Sequence, residues 1–147
     1  MIVRSFIHLN KAGTCIGDFN ELQHEASLTF KPKQLLIDVR VNDLSTINQN
    51  IIGKVLNVIS RERIKINLLQ ISATTITICA DNSLVDKTEL IQKLSTAFEV
   101  SFKENLELVT IKNYTEKLFI EYSNQEHNII EQRNHRDFQI VRKLTTN

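Results

Sequence analysis

Apolar and polar positions along the chain change period several times, and each change marks an element. From Leu35 to Val41 the period is two, so Leu35, Ile37, Val39 and Val41 share one face of an expected strand. From Ile51 to Ile59 it is helical, with Ile51, Val55 and Ile59 at i, i+4 and i+8 and Ile52 and Leu56 beside them. Asn48 or Asn50 can cap this helix, and Arg61 and Arg63 suit the negative pole at its end. Period two returns in Ile64, Ile66 and Leu68 and again in Ile76, Ile78 and Ala80, with Ser72-Ala73-Thr74 as the turn of a hairpin. Asp86 and Glu89 have the spacing of a capping box ahead of a second helical stripe, Leu90, Ile91, Leu94 and Phe98. Phe98, Val100 and Phe102 then alternate as a closing strand. Residues 35–102 therefore spell a complete βαββαβ module: α+β, ferredoxin-like, with both helices on one face of an antiparallel sheet.

The flanks carry a second, shorter copy of this pattern. Ile2 to Leu9 alternates as a strand, and Asn10-Lys11-Ala12-Gly13-Thr14 breaks it. Residues 17–34 are polar and read as a connection holding at most a short strand, Ser27 to Lys31, which Pro32 ends. Past the module, Glu104-Asn105 is expected to turn the chain. Glu107 to Asn113 follows as a strand with Val109 and Ile111 on one face, then a helix capped by Thr115 with Leu118, Phe119 and Tyr122 as its apolar side. A hairpin closes the chain, Asn128 to Gln132 and Phe138 to Lys143 across Asn134-His135-Arg136-Asp137. This is βαββ again, lacking a second helix and a fourth strand. An uncovered edge is costly. The expected repair is Ile2–Leu9 pairing into the second sheet, which makes the first module an insertion within the second. The expected organisation is thus 1–16 as a strand completing the second module, 17–34 as connection, 35–103 as the first module and 104–147 as the second. The missing helix would come from a segment ahead of Met1.

Composition narrows the function classes. The 147 residues are 41% hydrophobic and 24% charged with a net charge of +1, which gives no basic surface for nucleic acid. No apolar run approaches the ~20 residues that span a bilayer, and Met1-Ile2-Val3-Arg4-Ser5-Phe6 lacks the pattern of a signal peptide. With two distant cysteines, Cys15 and Cys79, a cytoplasmic location is the economical reading. Three glycines and one proline argue against a phosphate-cradling loop. His8, His24, His127 and His135 have no metal-ligand spacing, so no metal is assigned. Cys79 reads as a small buried hydrophobe, and Cys15 has no neighbouring base to make it a nucleophile. No residue is assigned a catalytic role. Glu126, Glu131, Arg133, Arg136 and Asp137 read as a solvated, mixed-charge hairpin.

Two modules of this order, one inserted in the other, resemble the C-terminal regulatory region of aspartokinase, a tandem of ACT domains. Ile2-Val3-Arg4-Ser5-Phe6-Ile7 followed by Gly13-Thr14-Cys15-Ile16 is similar to that family's link between catalytic and regulatory parts. Ile64-Lys65-Ile66-Asn67-Leu68-Leu69-Gln70-Ile71-Ser72-Ala73-Thr74-Thr75-Ile76-Thr77-Ile78 resembles the stretch usually written Asp-x-Ile-x-Thr-Ser-Glu-x-Ser-Ile. Phe98-Glu99-Val100 through Leu106-Glu107-Leu108-Val109-Thr110-Ile111 resembles the entry to the second module. The resemblance implies a region that senses an amino acid and does not phosphorylate one. The kinase domain, with its Lys-Phe-Gly-Gly-Thr motif, has no counterpart here, and ATP and Mg would belong to it. In the whole family protein the γ-phosphoryl group of ATP passes to the β-carboxylate of aspartate, and an end product, most often lysine, feeds back through the ACT pair. Threonine is the second effector implied, and a homodimer through the ACT sheets is the assembly implied.

The residues that would hold an effector follow from the same match. A carboxylate suits a helix N-terminus, here Asn48-Gln49-Asn50-Ile51-Ile52, and an ammonium needs acceptors, here Asn67, Gln70 and Ser72 on the next strand. Matched residue by residue, the family's site falls on Asn50, Ile51, Ile52, Asn67, Ser72, Ala73 and Thr74. The family has glycine where Asn50 stands, aspartate at Asn67 and Thr-Ser-Glu at Ile71-Ser72-Ala73. A charge-assisted hydrogen bond is worth ~1.5–3 kcal/mol, so Asn67→Asp is expected to tighten lysine binding. The alternative reading is an ACT-type dimerisation module that has lost its effector.

Overall fold

The computed structural model describes residues 25–144. The expected strand Ile2–Leu9, the Gly13–Ile16 link, Cys15, His8 and His24 lie outside them. The fold is α+β, an antiparallel sheet of six strands with helices, ordered β2-β3-β1-β4-β6-β5. The strands are β1 (Ser27–Val41), β2 (Ile66–Ile71), β3 (Thr75–Asp81), β4 (Phe98–Lys112), β5 (Asn128–Arg133) and β6 (Asp137–Lys143). Three α-helices accompany them: α1 (Gln49–Arg61), α2 (Lys87–Leu94) and α3 (Glu116–Tyr122). The chain divides into two compact units, one of Lys33–Leu106 and one drawing on the described parts of Met1–Pro32 and Glu107–Asn147.

In the first unit the hydrophobic alternation does what its period dictates. Leu35, Ile37 and Val39 pair in register with Ala80, Ile78 and Ile76 of β3, all on one face. Val55 and Ile59 of α1 and Leu90 and Leu94 of α2 pack into the same core, all at most 2% exposed. Each such aliphatic side chain contributes roughly 1.5–3 kcal/mol relative to exposure. Ile91, expected in the α2 stripe, is exposed, because the buried pair Leu90 and Leu94 already aims one turn-to-turn row at the sheet. The Asp86 side chain accepts from the Glu89 amide at 3.0 Å, so the expected cap is made. Strand order within this unit, β2-β3-β1-β4, is the 4-1-3-2 arrangement of a ferredoxin-like βαββαβ module in reverse.

The end of α1 is sharper than its two arginines foretell. Arg63 adopts φ 56°, its amide bonds the Ser60 carbonyl, and the Ile64 amide bonds the Ile59 carbonyl. This is a Schellman ending, completed by the apolar contact of Ile64 with the core that holds Ile59. An arginine occupies the left-handed position where glycine is favoured.

Two boundaries differ from the sequence reading. Pro32 does not end a strand: β1 runs through it for 15 residues, with Pro32 exposed and Lys33 at φ 56°. Proline is tolerated in a strand where its missing N–H is not called upon, and the left-handed residue after it absorbs the irregularity. Glu104-Asn105 does not turn the chain either. β4 continues through it for 15 residues, with Asn105 at φ 59°, a conformation asparagine adopts at low cost.

The second unit is built from the later part of β4, α3, β5 and β6. Thr115 caps α3 by accepting from the Leu118 amide at 3.3 Å. Leu118, Phe119 and Tyr122 pack on Val109, Ile111, Phe138 and Ile140, as their spacing predicts. Among the described residues β4 lies between β1 and β6, and the early residues of β1, Leu28 and Phe30, pack into this core; the expected strand Ile2–Leu9 lies outside the described residues. Arg142 lies over the rings of Phe30 and Tyr122 and donates to the Glu107 carboxylate at 2.9 and 3.0 Å.

Candidate functional site

The loop from Asn42 to Asn48 carries the chain from β1 to the start of α1. Asp43 anchors it by accepting from the Ser45 amide at 2.8 Å, and hydrogen bonding from the Ser45 side chain, then from its amide, holds the Asp43 carboxyl below its usual range. The loop then docks on the β2–β3 hairpin: the Ile47 amide donates to the Ala73 carbonyl at 2.8 Å, and the Val41 amide to that of Thr74 at 3.1 Å. The hairpin turn is closed by Ser72, whose amide and hydroxyl both donate to the Thr75 carbonyl and whose hydroxyl accepts from the Thr75 amide. These bonds bring the N-terminus of α1 against the 72–74 turn. Asn48, Gln49, Asn50, Ile51 and Ile52 thus stand beside Ser72, Ala73 and Thr74.

Asn48, not Asn50, is the cap; its side chain accepts from the Ile51 amide at 3.1 Å. The amides of Gln49 and Asn50 point out of the first turn with no acceptor inside the helix, which is what an anion uses. Ile51 and Ile52 are half-buried against the core, while Asn48, Gln49, Asn50, Ser72, Ala73 and Thr74 are exposed. The cluster contains no charged side chain. A carboxylate would meet backbone N–H groups, and an ammonium only carbonyl and hydroxyl oxygens. Asp43, which the sequence reading passed over, is the acidic residue nearest in the chain, and its short range to Ser45 was the available signal.

Asn67 does not join this group. It sits at the opposite end of β2 from Ser72, five residues and ~17 Å along an extended strand. There its amide donates to Gln34 Oε1 at 2.8 Å and to Asp81 Oδ1 at 3.1 Å. Gln34, 1% exposed, donates to the same Asp81 oxygen at 2.7 Å, and Cys79 Sγ lies 3.4 Å from Gln34 Oε1. Asn67, Gln34, Asp81 and Cys79 therefore form one polar knot tying β1, β2 and β3. Cys79 is fully buried, as the strand pattern implied.

No family model matches the chain, and no curated protein does. Solved structures do. A domain assigned as the C-terminal regulatory domain of aspartate kinase from Porphyromonas gingivalis superposes with a TM-score of 0.70 at 10% identity, covering 82% of this chain and 87% of that one. The regulatory subunit of aspartate kinase from Thermus thermophilus, in ligand-free form, gives 0.59 at 8% identity, covering 82% and 89%. The fold is that of an aspartokinase regulatory region. E. coli aspartokinase III in complex with lysine and aspartate gives 0.65 at 15% identity, covering 78% of this chain. The chain spans only 28% of that enzyme's length. Likeness to the aspartokinase regulatory fold extends over both units described above, since each match covers about four-fifths of the chain.

Proposed function

We propose that this chain is the amino-acid-sensing region of an aspartate kinase, built as two ACT modules with the first inserted in the second. The observation that carries the reading is the docking of the α1 N-terminus on the 72–74 turn through the Ile47 amide and the Ala73 carbonyl. That contact gathers backbone donors for a carboxylate beside oxygen acceptors for an ammonium, on a fold shared with regulatory subunits of aspartate kinases. Lysine is the first effector to test and threonine the second. The chain acts in the cytoplasm and does not itself phosphorylate aspartate; the kinase activity, with its ATP and Mg, resides in the catalytic partner region. Isothermal calorimetry of the chain with lysine, threonine and methionine tests the reading. Saturable heat from one of them, lost in an Asn50→Pro variant that keeps its circular dichroism, supports it.

A dimerisation module without an effector is the second reading, and β2 favours it. Among the described residues β2 and β5 are the outer strands, and β2, Ile66–Ile71, carries no charge, whereas β5 carries Glu131 and Arg133. An uncharged edge invites pairing with a second copy about a two-fold axis. Silence in calorimetry from all three amino acids, together with a dimer by sedimentation, would leave this second reading in place of the first.

A further inference from the structure

The second unit has a polar concavity far in sequence from the Asn48 cluster. It holds about 220 Å³ and is lined in part by Thr110 and Lys112 of β4, Gln132 of β5, and Asp137 and Gln139 of β6. Val109, Ile111, Phe138 and Ile140 face the α3 core, so the alternate residues Thr110, Lys112 and Gln139 lie on the other side of the sheet. Gln139 Nε2 donates to Thr110 Oγ1 at 3.4 Å across the two strands. Counting two residues from the Thr110–Gln139 contact along each antiparallel strand pairs Lys112 with Asp137, and both line the concavity. Such partners have their Cβ atoms about 5 Å apart. Among the described residues no salt bridge joins them. The main chain of Asp137 closes the turn with Asn134, but among the described residues its carboxylate accepts no hydrogen bond. Arg133 also lines the rim, yet its guanidinium lies over the Phe119 ring, 4.3 Å from the centroid.

A cation and an anion at this spacing, kept apart and flanked by two amide side chains and a hydroxyl, match a ligand bearing both charges. An anion alone would meet Asp137, and a cation alone Lys112. The volume lies below the ~300 Å³ at which drug-sized sites begin, so the ligand is small. We propose that this concavity is a binding site for a small zwitterion, a free amino acid, whose carboxylate pairs with Lys112 and whose ammonium pairs with Asp137. Gln132, Gln139 and Thr110 supply the remaining hydrogen bonds. The site shares no residue with the Asn48 cluster and stands without it.

Amide NMR on the full chain is the test, with lysine, threonine and methionine titrated in turn. Saturable shifts are expected at Thr110, Lys112 and Gln139. For whichever amino acid binds, the N-acetyl form, lacking the α-ammonium, and the carboxamide, lacking the carboxylate, are each expected to bind about tenfold more weakly or worse. Lys112→Gln and Asp137→Asn, both at solvent-accessible positions, are expected to weaken the parent by a similar factor while leaving the remaining amide spectrum in place. Unmoved amides at 110, 112 and 139 with all three amino acids overturn the proposal, as does equal binding by the blocked forms. Shifts confined to 48–52 and 72–74 overturn it while leaving the function proposed above intact; shifts confined to 110–112 and 137–139 support it and remove the Asn48 cluster as the effector site.

Discussion

Asn67→Asp separates what the sequence implies from what the structure implies. By family resemblance the change restores an acidic effector ligand and tightens lysine binding. In the structure it replaces the donor of two hydrogen bonds with an acceptor, about 3 Å from Gln34 Oε1 and Asp81 Oδ1. The bond to Asp81 is charge-assisted, worth about 1.5–3 kcal/mol, and the bond to Gln34 adds about 1. Repulsion between two carboxylates this close exceeds either term unless one takes up a proton. The expected loss at neutral pH is therefore about 2–4 kcal/mol, a large share of a small domain's stability. The sign with pH follows. Proximity raises a carboxyl pKa in the folded variant above its unfolded ~3.9, so the folded state binds more protons. The variant's stability is highest below that unfolded value and is lost as pH rises through the raised folded one. Urea unfolding at pH 5 and pH 7.5 measures it, with Asn67→Ala as the uncharged control that loses the bonds but gains no pH dependence. A variant within ~0.5 kcal/mol of the parent at pH 7.5, or one that binds lysine more tightly at full stability, would refute the placement of Asn67 in the knot.

Other expectations rest on single contacts. Asn48→Ala should cost about 1 kcal/mol in thermal or urea unfolding by removing the α1 cap, whereas Asn50→Ala should be nearly silent. Arg63→Gly should stabilise by up to ~1 kcal/mol, since glycine takes the left-handed position without strain; a loss of stability would contradict the Schellman ending. If β2 pairs across a two-fold axis, Gln70→Lys sets like charges near each other and should shift sedimentation toward monomer, while Gln132→Lys on β5 should not. Burial pushes the Tyr122 hydroxyl above its ordinary pKa of 10.0. The folded state then holds that proton longer than the unfolded chain does, so stability falls as pH rises above about 10, and Tyr122→Phe should flatten this slope.

What the sequence could reveal depended on how far apart the interacting residues are. Caps and periodicity act over three or four residues, and Asp86, Thr115 and the apolar faces of β1, β3, α1 and α3 were legible for that reason. The reading failed where a local signal competes with a distant one. Pro32 and Glu104-Asn105 look like stops, because a missing donor or a turn-forming pair usually ends a strand. Here neighbouring strands supply the ladder on both sides, and one left-handed residue, Lys33 or Asn105, is enough for β1 and β4 to continue. The same logic governs the candidate site. The turn at 72–74 was visible, but its bond to Ile47 crosses 26 positions of chain and was not. Asn67 is the extreme case: its partners lie 33 and 14 residues away, and nothing in the run Ile66-Asn67-Leu68 announces a buried amide knot. A resemblance can align that asparagine with a ligand position in another protein. It cannot show that Gln34 and Asp81 have already claimed both donors, and a side chain so engaged must break a buried bond before it can bind anything else.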